Sequence, residues 1–290
     1  MRLSALLSLS LALLLSLSIG VVAGEQRHDR LRGPPSLAAP LLPAVAPLVG
    51  PLFGAEAGHV GAPDPRYKDN VTDGRVARSA VVAFNETVSA QLKEDWLNSM
   101  LYAQLSCRTT DGFTDPKALL QCVNSVLYNS LHWNDNVHAS LRAAPRNASQ
   151  PLAEDVLGVI EKAPSGGIAF AVNYRGLARS AVESLKVEDD AYASWHNSST
   201  NGTRNFFHVS VASVESDHLV VWTATFHLAT KAQPYQVLWS NYAQIDATLN
   251  HAVTRRHQIK LIWTDKFRQS LRDALATFLP QNIVSKDIQP

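Results

Sequence analysis

Asn205-Phe206-Phe207-His208-Val209-Ser210-Val211-Ala212-Ser213-Val214 and Leu219-Val220-Val221-Trp222-Thr223-Ala224-Thr225-Phe226-His227-Leu228-Ala229 flank a polar turn, Glu215-Ser216-Asp217-His218. Placing Val214 opposite Leu219 puts Phe207, Val209 and Val211 across from Phe226, Ala224 and Trp222. The other face then carries His208, Ser210, Thr223, Thr225 and His227, with Phe206 and Val221 as apolar exceptions. Period-two alternation of this kind predicts an antiparallel hairpin with one buried and one solvated face. Tyr235–Trp239 and Gln244–Leu249 read as further strands, the second with a helical alternative, and Ile168–Tyr174 is a short apolar run.

Helical spacing surrounds this sheet. Val88, Leu92, Trp96, Met100 and Ala103 make one apolar face. Asp115-Pro116 is an N-cap followed by proline at the first helical position, opening a helix through Leu119, Cys122, Val126 and Leu127. Leu152–Ile160 is a third helix, ending before Pro164 and the Gly166-Gly167 breaker, and Leu177–Leu185 is also compatible with one. Thr264 caps a last helix with Phe267, Leu271, Leu275 and Phe278 on one face and Pro280 as its stop. The expected class is α+β: N-terminal helices, an antiparallel β-sheet and a closing C-terminal helix. Residues 79–290 are long enough for one such domain.

Upstream the composition changes. Met1-Arg2, a Leu/Ser/Ala run over Leu3–Leu17, and Val22 and Gly24 at small-residue positions form a secretory leader over 1–24. Residues 25–78 read as a Pro-rich linker or a removable pro-segment; eight of the 15 prolines fall between Pro34 and Pro65. Arg75-Val76-Ala77-Arg78 has the Arg-x-x-Arg spacing of processing-protease sites, as do Arg27 and Arg30. Cys107 and Cys122 are the two cysteines in the chain, and in an exported protein they suit one local disulfide. Asn70, Asn85, Asn147, Asn197 and Asn201 satisfy the N-glycosylation rule.

Candidate chemistry is sparse. With 26 basic and 25 acidic residues and no basic block, nucleic acid is excluded as a partner class. No zinc-hydrolase spacing, serine elbow or cofactor motif appears, so no catalytic residue, metal ligand or cofactor is assigned. Pro164-Ser165-Gly166-Gly167 reads as a turn. His208 and His227 are expected as diagonal neighbours on the solvated hairpin face, with His218 at its turn. Glu188-Asp189-Asp190 reads as a solvated acidic loop. Trp195, Phe206, Phe207, Trp222, Tyr235 and Trp239 read as core.

Asp190-Ala191-Tyr192-Ala193-Ser194-Trp195, a polar turn to Thr203, and the paired runs Phe206–Val214 and Leu219–Leu228 together resemble the sheet of Cyt-type cytolysins (delta-endotoxin-like proteins). The resemblance covers about residues 186–253. It implies helix layers around a β-sheet and an ability to permeabilise membranes. The Cys107/Cys122 pair and a helix after the sheet depart from that pattern.

The leading functional expectation is a secreted extracellular glycoprotein that acts as a binding or effector-like protein. Its partner would be an extracellular protein, glycan or membrane. A Cyt-like membrane-active toxin and a secreted glycan-active hydrolase are the alternatives. An exposed apolar patch would favour the binder and two facing carboxylates the hydrolase.

Overall fold

Ser216 and Asp217 both adopt positive φ, 45° and 64°, and this local twist sets the sheet. Two consecutive left-handed residues make the tight turn that matches right-handed strand twist. They join β6 (Arg204–Glu215) to β7 (His218–Ala229) in the expected register, with Val214 opposite Leu219 and Phe207 opposite Phe226. The computed structural model describes residues 72–107, 113–135, 140–144, 150–162, 173–185, 189–231, 237–239 and 247–286. All of them lie within one compact unit, 37–290.

Two strands precede the first helix: β1 (Asp73–Ala77) and β2 (Ala80–Phe84) form an antiparallel hairpin. Then follow α1 (Ala90–Ser106), α2 (Pro116–Ser125) with a π turn over Val126–Ser130, and the short strands β3 (Trp133–Asp135) and β4 (Arg142–Ala143). Three helices come next: α3 (Leu152–Lys162), α4 (Tyr174–Ser184) and α5 (Asp190–Ser199). After β5 (Thr200–Asn201) and the hairpin come β8 (Thr248–Gln258), α6 (Asp265–Leu275), α7 (Leu279–Asn282) and β9 (Ile283–Lys286). The strand order is β3-β8-β7-β6-β2-β1-β9, with β4 on β8 and β5 on β6.

The class is α+β, with a different chain order from the expected one. Strands, not helices, open the described chain. The last helices do not close it, because β9 follows them and pairs antiparallel with β1. The sheet is mixed: β2 runs parallel to β6. That pairing requires a long crossover, here the helical segments between residues 84 and 204. Val237–Trp239, expected in a strand, is a turn, and the third long strand, β8, starts only at Thr248.

Both faces of the sheet are covered. Phe207, Val209, Val211, Ala224, Phe226 and Leu228 pack against α3, α4 and α5. Ala80, Val82, Phe84, Ala212, Leu219 and Val221 pack beneath α1, α2 and α6. The hairpin's polar face is therefore buried, not solvated: His208 is 1% exposed, Ser210 0%, Thr223 2% and Thr225 4%. Its polar atoms pair laterally, Ser210 with Thr223 at 3.0 Å and His208 Nδ1 with Thr225 Oγ1 at 2.9 Å. These bonds satisfy part of the buried polar stripe, and His208 Nε2 stays outside them.

The helices follow their caps. Ser89, Asp115, Asn173, Asp189 and Thr264 each accept a backbone N–H from the first turn of α1, α2, α4, α5 and α6. Asp189 is therefore a helix cap rather than part of a loop. No described helix is long and apolar enough to cross a membrane.

Candidate functional site

Gln104, near the C-terminal end of α1, accepts both the backbone N–H and the hydroxyl of Ser79, at 3.1 and 2.8 Å. It also donates to the Ala77 carbonyl at 3.0 Å. One side chain thus fastens the β1–β2 turn to α1. That turn includes Arg78, whose φ of 53° is in the left-handed region, and His208 N–H donates to the Ser79 carbonyl at 2.9 Å. Just past the end of α1, Cys107 is joined by a disulfide to Cys122 of α2.

Between these parts lies a cavity of about 470 Å³. Phe113, Leu119 and Val123 supply an apolar wall from the start of α2 and its interior, and Phe206 adds to it from the sheet. Arg78, Ser79, Gln104 and His208 line the polar floor, and Asn197, Ser198, Thr200 and Asn201 bring the end of α5 and β5 to the rim. The size lies within the range of small-molecule sites, and the lining carries more polar residues than apolar ones. Among the described residues no aspartate or glutamate lines it.

His208 is its most distinctive member. The ring is buried, its Nδ1 faces Thr225, and its Nε2 has no hydrogen-bond partner. Burial, helped by the Arg256 guanidinium, pushes its pKa down to about 3, so the imidazole is neutral near neutral pH. Phe206 meets the ring edge-on at 5.2 Å.

The residues singled out in the sequence are placed as follows. Asn197 and Asn201 are exposed at the cavity rim, while Asn85 is half-buried and accepts from Thr87 N–H at 3.0 Å. Asn70 and Asn147, residues 1–71, Pro164-Ser165-Gly166-Gly167, Glu188 and Tyr235 lie outside the described residues. Arg75 is 7% exposed in β1, which is paired on both sides, and donates to Asp73 at 3.0 Å. Arg75 and Arg78 thus belong to the folded hairpin. Its first strand precedes the expected domain boundary at Ser79. His227 is buried and not on a solvated face; it lies opposite Phe206, one diagonal step from His208. No group of His, Cys, Asp and Glu among the described residues is arranged to hold a metal ion. Gln104 and Phe113 were not singled out: nothing in the spacing of a lone glutamine or of a phenylalanine before an N-cap marks a cavity.

No family model matches the chain. No curated protein matches it either. Among solved structures it resembles a delta-endotoxin at 12% identity, covering 72% of this chain and 89% of that one, with a TM-score of 0.38. It also resembles the activated Cyt2Ba monomer from Bacillus thuringiensis subsp. israelensis at 12% identity, covering 48% and 77%, with a TM-score of 0.31. These are the Cyt-type proteins whose sheet the hairpin resembles in sequence. Likeness at this level carries no functional argument.

Proposed function

We propose that the chain is an exported, N-glycosylated binding protein that holds a small molecule in the cavity between α1, α2 and the start of β6. The observation that carries this reading is the cavity itself, with a floor fastened by Gln104 and ends pinned by the Cys107–Cys122 bridge. Ligand sites of this size recur where a few polar groups converge on an apolar wall. A protein-docking reading draws less from the surface: among the described residues Tyr128 and Leu261 are the large hydrophobics that stand exposed. A glycan hydrolase would need two facing carboxylates, and among the described residues that line the cavity there is none. The leader over 1–24 and glycans at Asn85, Asn197 and Asn201 complete the proposal.

The test is expression of the full chain with its own leader. Native mass spectrometry of protein from the medium should detect a non-covalent small-molecule adduct that is lost on unfolding. The same protein should leave plain liposomes intact. Leakage at low protein concentration without any partner would instead favour the membrane-active reading, and retention in the cell would remove the export premise.

A further inference from the structure

An N-glycan is a bulky, solvated group fixed to one asparagine, so the place of its root decides what it covers. Of the described asparagines that satisfy the glycosylation rule, Asn197 and Asn201 line the cavity and stand exposed. Asn85 lies elsewhere, just past the end of β2, where its backbone N–H donates to the Ala212 carbonyl at 2.9 Å. We propose that the sugars on Asn197 and Asn201 form a roof over the cavity, which admits a small molecule and keeps a protein or polysaccharide partner out. The inference rests on the reading of the chain as an exported glycoprotein with a ligand in this cavity.

The two roots are held on a rigid junction. Asn197 is in the last turn of α5, and Asn201 follows Thr200, whose hydroxyl donates to Asn205 Oδ1 at 2.7 Å. Beyond Asn201 the chain turns at Gly202, with a φ of 59° that favours glycine. Thr230 then fixes the Thr203 carbonyl with its N–H and its hydroxyl, at 2.8 and 3.0 Å. Glycans on such a frame start from fixed points, one on each side of the helix–strand junction, and both points border the same mouth. The apolar wall comes from a different stretch of chain, and its Phe113 and Leu119 are only half-buried. Sugars spanning the mouth would shield those two side chains. The order of events also favours a roof. Ser199, the hydroxyl residue of the Asn197 sequon, is fully buried and donates to the His196 carbonyl at 3.3 Å. The folded protein hides that hydroxyl, so the Asn197 glycan is added while the chain is still unfolded and is in place when the cavity forms.

The experiment uses the full chain expressed with its own leader. Glycopeptide mass spectrometry reads the occupancy of each site, and carbene footprinting with photo-leucine reads the accessibility of Phe113 and Leu119. Ser199→Ala combined with Thr203→Ala removes both acceptor rules and leaves both lining asparagines in place. Wild type should carry glycans at Asn197 and Asn201 and should protect Phe113 and Leu119 from labelling. That protection should be lost in the double variant, and in wild type trimmed by an endoglycosidase to the first sugar. It should be kept in Asn85→Gln, whose lost glycan lies away from the mouth. Trimmed wild type decides the matter if the double variant fails to fold. An unoccupied Asn197 or Asn201, or equal labelling with and without glycans, overturns the roof and leaves the small-molecule reading standing. That reading has its own test, the adduct seen by native mass spectrometry. An adduct missing while the labelling difference persists would remove the ligand and leave the roof.

Discussion

Arg268 on α6 grips Asp95 on α1 from across 173 residues of chain, donating from Nε to both carboxylate oxygens at 2.9 and 3.1 Å and from Nη2 at 3.0 Å. Asp95 is 2% exposed and also accepts from Gln258 of β8 at 2.7 Å and Gln91 at 3.0 Å. One turn along α6, Arg272 holds Glu94 at 2.6 and 2.8 Å. These pairs fix the register of two helices on the polar face of the sheet. Removing one partner of a buried pair leaves an uncompensated charge, so Asp95→Ala should lower stability by about 3–5 kcal/mol. Denaturant unfolding of Asp95→Ala, Arg268→Ala and the double variant checks this. The double should cost clearly less than the sum of the singles.

Phe207 has no exposed surface, with Trp195 edge-on at 5.5 Å and Phe226 stacked at 5.1 Å. Phe207→Ala should cost about 3–5 kcal/mol. Trp222, half-buried beneath the Arg255 guanidinium at 5.8 Å, should cost less on the same substitution. Thermal unfolding of the two variants, compared with wild type, tests the order.

Local signals were legible wherever one residue type carries the instruction. The caps Asp115 and Thr264, the Cys pair and the Val214/Leu219 register could all be read directly. What escaped depends on partners distant in sequence. Val81 and Val82 form a central strand because β6 lies beside them, and Arg255-Arg256-His257, which local spacing assigns to no element, is a strand because the adjacent β7 supplies a ladder. The polar face of the hairpin looked solvated because alternation reports polarity and not what covers it. Here α1 covers it with its own polar residues, Asp95 among them. The cavity combines the β1–β2 turn, α1, α2, the α5–β5 junction and β6, an assembly that no local spacing encodes.

The Cys107–Cys122 bridge closes a loop of 15 residues, worth about 3 kcal/mol in the loop-entropy account. Non-reducing peptide mapping should recover the two cysteines linked. Replacing both with serine should lower the denaturant midpoint and weaken small-molecule binding, since Cys107 lines the cavity. Unchanged binding in the double variant would mean that the bridge does not shape the site.

Val76 and Ala77 are fully buried in β1 between β2 and β9. Cleavage after Arg78 would sever that strand from the domain. N-terminal sequencing of secreted protein should therefore find a start upstream of Asp73, with Glu25 the residue the leader predicts. A start at Ser79 would mean that the domain tolerates loss of a doubly paired strand, or keeps it as a separate bound peptide.

Stability should fall on mild acidification, and the sign follows from the buried histidines. His208 is held at about 3, and burial also lowers His227, His251 and His257. A histidine whose folded pKa lies below its unfolded value near 6.5 stays neutral in the fold while the unfolded chain takes up a proton. Its contribution is therefore fully present above about pH 6.5 and drains away as pH falls toward the folded value. For one such group the slope approaches about 1.4 kcal/mol per pH unit once the unfolded form is protonated. For His208 that window reaches down to about pH 3. Thermal melts between pH 7.5 and 4.5, a span chosen to cross the unfolded value, should show a melting temperature that declines with pH. His208→Phe, which cannot titrate, should flatten the decline even though it starts from a lower melting temperature. An unchanged slope in that variant would show that His208 is not among the groups that bind the protons.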